Sequence, residues 1–186
     1  LKKNKRGNVS VVRDVFLEKA TERIVHSRNV LRERTLNEGY AYFLSLEQDI
    51  NPPSDVIEQL LAAGREVVTG VYFKEYLLRN TRTNKPERVA LPLLYHTAPD
   101  GETLSYVQPE ELESGKRVRV TGAGLGCMLI RRDVLERVKF RYNEKYPAFD
   151  DMYFCRDCEQ LGIPICADVR MRCKHLHRQT DWTKIT

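Results

Sequence analysis

No stretch of this sequence approaches the roughly 20 consecutive apolar residues of a membrane-spanning helix, and no apolar signal-peptide core follows its basic start. Together these absences predict a soluble, cytoplasmic chain, and they leave a peripheral membrane contact compatible with it. Cysteine is scarce and odd in number, five in all at Cys127, Cys155, Cys158, Cys166 and Cys173, which excludes a complete disulfide framework. There is no internal repeat or low-complexity segment, and neither the dinucleotide-binding nor the P-loop glycine spacing occurs. Charge of one sign is only mildly in excess: 31 Lys and Arg face 26 Asp and Glu, a net +5. That bias favours anionic partners such as nucleotides or phosphates. The basic residues are spread along the chain, apart from Lys2, Lys3, Lys5 and Arg6, and no recognition helix or aromatic RNA-binding motif accompanies them, so a specific nucleic-acid partner is not expected.

The 186 residues, 41% of them hydrophobic, suit one well-buried domain covering 1–186. Apolar residues at helical spacing from Val11 to about Asn37 predict a first helix, and Gly39 stops it. Tyr40 to Ile50 reads as a buried strand. Pro52-Pro53 and Ser54-Asp55 then introduce a helix over Val56 to Ala63, ended by Gly64, before a second β run from Glu66 to Phe73. The alternation of helix and strand predicts a mostly parallel α/β sheet flanked by helices. Turn-rich Asn80 to Pro86 and Thr97 to Gly101 mark a small antiparallel excursion with β runs at Val89 to Tyr95 and Thr103 to Val107. Further on, Arg117 to Ile130 reads as strand, 132–138 as helix, Pro147 to Leu161 as helix and Ile163 to Arg172 as strand.

The organising stretch is Tyr40 to Ile50, which ends in Glu47-Gln48-Asp49. On an extended backbone residues two apart share a face, so Glu47 and Asp49 can approach one divalent cation, although the same acids also serve to solvate a strand end or cap the next helix. Gly122-Ala123-Gly124-Leu125-Gly126 permits close backbone approach to a ligand, with Gly124 at its centre, or else forms a bulged strand with no ligand. Asp150-Asp151 opens a helix, where a carboxylate suits either a general base or an N-cap.

Taken with Ser27-Arg28-Asn29 and the late His175, these residues resemble the nucleotide-diphospho-sugar glycosyltransferases of the GT-A fold, family-2-like, over roughly Arg28 to His177. The resemblance implies a GT-A Rossmann-like fold and a metal-dependent hexosyltransferase, inverting, that moves a sugar from a UDP-type or GDP-type donor to a hydroxyl of a glycan, protein or lipid acceptor. It matches Glu47 and Asp49 to the DXD-like motif that holds Mn²⁺ or Mg²⁺, with Glu in place of the usual first Asp. It matches His175 to the late metal ligand, with His177 as a second candidate, Arg28 and Asn29 to a pair near the nucleotide, and Asp151, with its neighbour Asp150, to the acid that deprotonates the acceptor. The family's first strand has no good counterpart in Leu1 to Asn8, so it is either absent or abbreviated. Two alternatives come from other classes: a structural zinc site built on Cys155, Cys158, Cys166, Cys173 and His175, and a nucleic-acid-binding module without catalysis.

Overall fold

The computed structural model describes residues 17–101, 103–143 and 149–176. The basic run Lys2 to Arg6, the expected start of the first helix at Val11, Pro147-Ala148 and His177 lie outside those residues. The first half of the described chain runs α1 (Ala20–Asn37), β1 (Tyr42–Leu46), β2 (Ile50–Asn51), α2 (Val56–Ala62), β3 (Val67–Val71), β4 (Phe73–Arg79), β5 (Pro86–Pro92), β6 (Leu94–Thr97) and β7 (Leu104–Tyr106). The second half continues with α3 (Pro109–Leu112), β8 (Arg117–Val120), β9 (Gly122–Ala123), β10 (Cys127–Arg131), α4 (Arg132–Arg137), α5 (Asp150–Gln160), β11 (Ile165–Arg172) and β12 (Lys174–His175).

Five strands form the central sheet in the order β1-β10-β3-β11-β8. The expected mostly parallel sheet of the GT-A type is overturned: β1 with β10, β10 with β3, and β11 with β8 are antiparallel, and β3 with β11 is parallel. The physical reason lies in β10. The segment β1-α2-β3 does return β3 in the direction of β1, as alternating elements should, but β10 inserts between them and runs the opposite way. Local periodicity carries no information about which strand fills that gap. The expected antiparallel excursion is present as the β4-β5 hairpin and the β7-β6-β9 sheet.

The central sheet is buried on both faces, which explains the continuous apolar runs in β3 and β10. Along β10, Met128 and Ile130 pack with Val134, Leu135, Phe154, Cys155 and Cys158 from α4 and α5, while Cys127 and Leu129 point the other way, toward Val56 and Leu60 of α2. Gly64, with φ +61°, closes α2 where no side chain is tolerated well. Among the described residues no helix is long and apolar enough to cross a membrane.

α1 is attached differently from the other helices. Its apolar spacing correctly predicts a helix, but Ile24 and Leu31 are exposed, and the residues it buries are Arg32 and Thr35. The Arg32 Nε donates to the carbonyls of Leu135 (2.7 Å) and Val138 (3.0 Å), and Asn29 grips the Phe140 peptide from both sides, Nδ2 donating to its carbonyl (2.8 Å) and Oδ1 accepting from its N–H (3.1 Å). Polar anchors therefore hold α1 in register where apolar burial is thin. Replacing Arg32 by Leu removes a donor from two buried carbonyls and is expected to lower stability by on the order of 2 kcal/mol in urea unfolding. A loss below about 0.5 kcal/mol would contradict the anchoring role.

Candidate functional site

The site is assembled where the end of β1 and the start of α5 meet α1, with β12 beside the turn that follows β1. Ser45, buried in the apolar run of β1, donates to the Leu125 carbonyl (2.7 Å) and accepts from Arg28 Nη1 (2.7 Å). Arg28 Nη2 also meets Glu47 Oε1 at 2.5 Å, and its Nε lies 2.6 Å from Asp150 Oδ2. That last contact is an ion pair whose angle falls short of a hydrogen bond, so neither atom has a hydrogen-bond partner although they neutralise each other. One guanidinium on α1 thus joins β1 to α5.

Glu47 and Asp49 lie past the end of β1, and the backbone there is a turn, not the extended strand expected from the sequence: the Ile50 N–H donates to the Glu47 carbonyl at 3.1 Å. The turn sends the two acids to different partners. Glu47 goes to Arg28, while Asp49 goes to His175, with Oδ2 and Nε2 3.3 Å apart. β12 delivers His175 by pairing with β2, His175 opposite Ile50, and the Leu176 N–H donates to the Asp49 carbonyl at 2.6 Å.

The tautomer of His175 follows from its other nitrogen. Nδ1 lies 3.0 Å from the carbonyl oxygen of Phe73, which can only accept, so Nδ1 carries a proton. Nε2 must then either carry a second proton or present its lone pair to a carboxylate. A charge-assisted N–H···O bond is usually about 2.7–2.9 Å, so 3.3 Å is long for it. Two ligands at about 2.1 Å from an octahedral cation sit about 3 Å apart, close to the separation seen. Asp49 and His175 therefore fit two positions of a hard divalent cation. Glu47, expected as the second carboxylate of that set, is held by Arg28 instead. Among the described residues no three His, Cys, Asp or Glu side chains are grouped to hold a metal.

The glycine segment proves to serve packing. A Cβ on Gly124 would come 2.1 Å from the Tyr72 hydroxyl, and one on Gly126 would come 2.7 Å from it. The Gly126 N–H donates to that hydroxyl at 2.8 Å, and the Tyr72 ring stands edge-on to His175, their centroids 5.5 Å apart. Burial, the largest influence, pushes the Tyr72 phenol well up. Gly124, expected to approach a ligand, instead makes room for a buried tyrosine that backs the histidine. Asn29, expected near a nucleotide, has its amide committed to Phe140.

Asp150 and Asp151 occupy the first turn of α5, with Phe149 at the N-cap. Asp150 is buried against Arg28. Among the described residues no cation pairs with Asp151, and its Oδ1 accepts from the Met152 N–H at 2.7 Å. Burial first, then the Asp150 charge, push its carboxyl up to about 6. Such a group is a poised proton acceptor near neutral pH.

Beside these residues a cavity of about 510 Å³ is lined by Arg23, Ile24, Ser27, Arg28, Glu47, Gln48 and Asp49. Arg23, Ser45 and Tyr72 were not singled out from sequence. The one aliphatic hydroxyl inside the apolar run of β1 is the available signal for Ser45, whereas Tyr72 looks like any strand aromatic. All five cysteines are free and buried. Cys155 and Cys158, expected as a zinc pair in the alternative reading, face the core from inside α5, and burial pushes the Cys158 thiol up to about 12.

No family model and no curated protein sequence matches the chain. Among solved structures it is similar to A197 from STIV, at 20% identity and a TM-score of 0.48 over 83% of this chain and 68% of that one.

The raised carboxyl of Asp151 has a cost in stability that appears as pH rises from about 4 to about 6. Asp151→Asn is therefore expected to stabilise the protein by on the order of 2 kcal/mol at pH 7–8, with the gain fading toward pH 4. Thermal unfolding of both proteins across that range checks it, and a pH-independent difference would contradict the buried-acid account.

Proposed function

We propose that this chain is a metal-dependent glycosyltransferase that moves a sugar from a nucleoside diphosphate donor to an acceptor hydroxyl. The observation that carries the reading is the Asp49–His175 pair, whose tautomer and 3.3 Å spacing suit a divalent cation. Two protein ligands leave room for diphosphate oxygens and water, which is how Mg²⁺ and Mn²⁺ are commonly held against nucleotides. A bound cation there would neutralise charge developing on the leaving diphosphate. The adjoining cavity, with Arg23 and Arg28 on its wall, has a size in the range of small-ligand sites.

In this reading Arg28 positions Glu47 and Asp150 and leaves Asp151 as the carboxylate that takes a proton. The acceptor oxygen bonds to the anomeric carbon as the diphosphate departs, and its proton passes to Asp151. Five free thiols suit a reducing compartment, the cytoplasm.

Calorimetric titration with UDP and GDP tests the donor side. Mn²⁺ is expected to tighten one of them at least tenfold, and Asp49→Ala or His175→Ala should remove that gain. On the chemical side, Asp151→Ala should leave nucleotide binding intact and lower transfer by about 10²–10⁴-fold, measured as nucleoside diphosphate release from a donor and acceptor panel. Wild-type turnover should rise with pH through about 6 as Asp151 ionises, in a field set by Asp150, Glu47 and Arg28. Equal nucleotide affinity in EDTA, together with full transfer by Asp49→Ala and Asp151→Ala, would overturn the proposal.

A further inference from the structure

Three tyrosines from three strands of the antiparallel excursion gather near the start of α5. Tyr95 on β6 and Tyr106 on β7 are direct cross-strand partners, their ring centroids 5.0 Å apart and tilted by 43°. Tyr76, on the separate β4-β5 hairpin, lies near enough for its phenol to be pushed up by burial first and then by Tyr106. The cluster is tied to α5 through Gly122: a Cβ there would lie 2.7 Å from Met152 Cε and 3.3 Å from Tyr95. Met152 is the residue after Asp151, so the close approach of Gly122 to Met152 and Tyr95 brings the rings near the start of α5. The Asp151 charge acts on the phenols of Tyr72, Tyr76 and Tyr95 alike.

The platform is firmly held. The Tyr95 carbonyl accepts from the Thr121 N–H (3.0 Å) and Oγ1 (3.3 Å), and His96, next along β6, meets Glu111 of α3 at 3.1 Å. Lys74 Nζ stands 5.5 Å over the Tyr76 ring, yet all three tyrosines are only half buried, so part of each amphipathic side chain stays open to a ligand. Sugar rings match this chemistry: their C–H faces pack on aromatic rings and their hydroxyls bond to phenolic oxygens.

We propose that Tyr76, Tyr95 and Tyr106 form an acceptor subsite beside Asp151 and that the acceptor is a glycan. This rests on the glycosyltransferase reading for its catalytic meaning, but the binding it predicts can be measured without any donor. In aromatic ¹H–¹³C spectra of the wild-type protein, adding millimolar maltose, cellobiose, lactose or chitobiose should shift tyrosine ring resonances for at least one disaccharide. Binding of that disaccharide should weaken at least fivefold in Tyr106→Ala and Tyr76→Ala, persist in Tyr106→Phe, and be unaffected by Asp49→Ala. The wild-type spectrum decides the matter even if an alanine variant fails to fold. No ring shift with any of the four, binding that survives both alanine variants in folded protein, or ring shifts produced only by a peptide or by detergent micelles would each overturn the glycan subsite. Disaccharide binding without metal-dependent nucleotide binding would instead remove the donor reading and leave the subsite standing, and the converse result would remove the subsite alone.

Discussion

The guanidinium of Arg28 reaches from α1 to Ser45 and Glu47 at the end of β1 and to Asp150 at the start of α5. Three elements far apart in sequence are fixed by one planar group, whose fork of donors can serve several acceptors at once, as a lysine could not. Because the Arg28 side chain is only 13% exposed, its charge needs a match, and Asp150 and Glu47 match it. The consequence falls on Asp151. Its neighbour has taken the cation, so Asp151 meets burial and a like charge and keeps its proton to a higher pH than an ordinary aspartate.

A second constraint acts at the other side of the cavity. The Phe73 carbonyl dictates the tautomer of His175, the turn at 47–50 carries Asp49 to its remaining nitrogen, and Tyr72 packs against the ring. Tyr72 in turn has room only because positions 124 and 126 lack side chains. The glycine segment therefore supports the histidine indirectly, from behind. The Asp49–His175 contact, ring orientation and core packing depend on one another here.

Much of the element order was legible in sequence. The apolar run of β1, the helix between Ser54 and Gly64, the all-buried run of β3 and the hairpins of the excursion follow from periodicity and turn chemistry. Sheet direction was not, because β10 pairs between β1 and β3 from about 60 residues downstream of β3, and nothing local in either strand specifies that neighbour. Within the site, Asp150-Asp151 and His175 stand out in sequence because their chemistry is unusual for their surroundings. Residue types misled where a backbone reversal intervened. Glu47 and Asp49 have the spacing of a shared ligand pair, but the turn parts them. Asn29 and Gly124 have the look of ligand contacts, and each is spent on another part of the fold.

The measurement that bears most directly on this account is the anomalous scattering of Mn²⁺ in crystals grown with UDP or GDP. The account predicts one peak between Asp49 Oδ2 and His175 Nε2, about 2.0–2.3 Å from each, with diphosphate oxygens completing its coordination and the nucleoside in the cavity beside Arg28. A nucleotide bound with no metal at that pair, or a metal held by other residues, would contradict it.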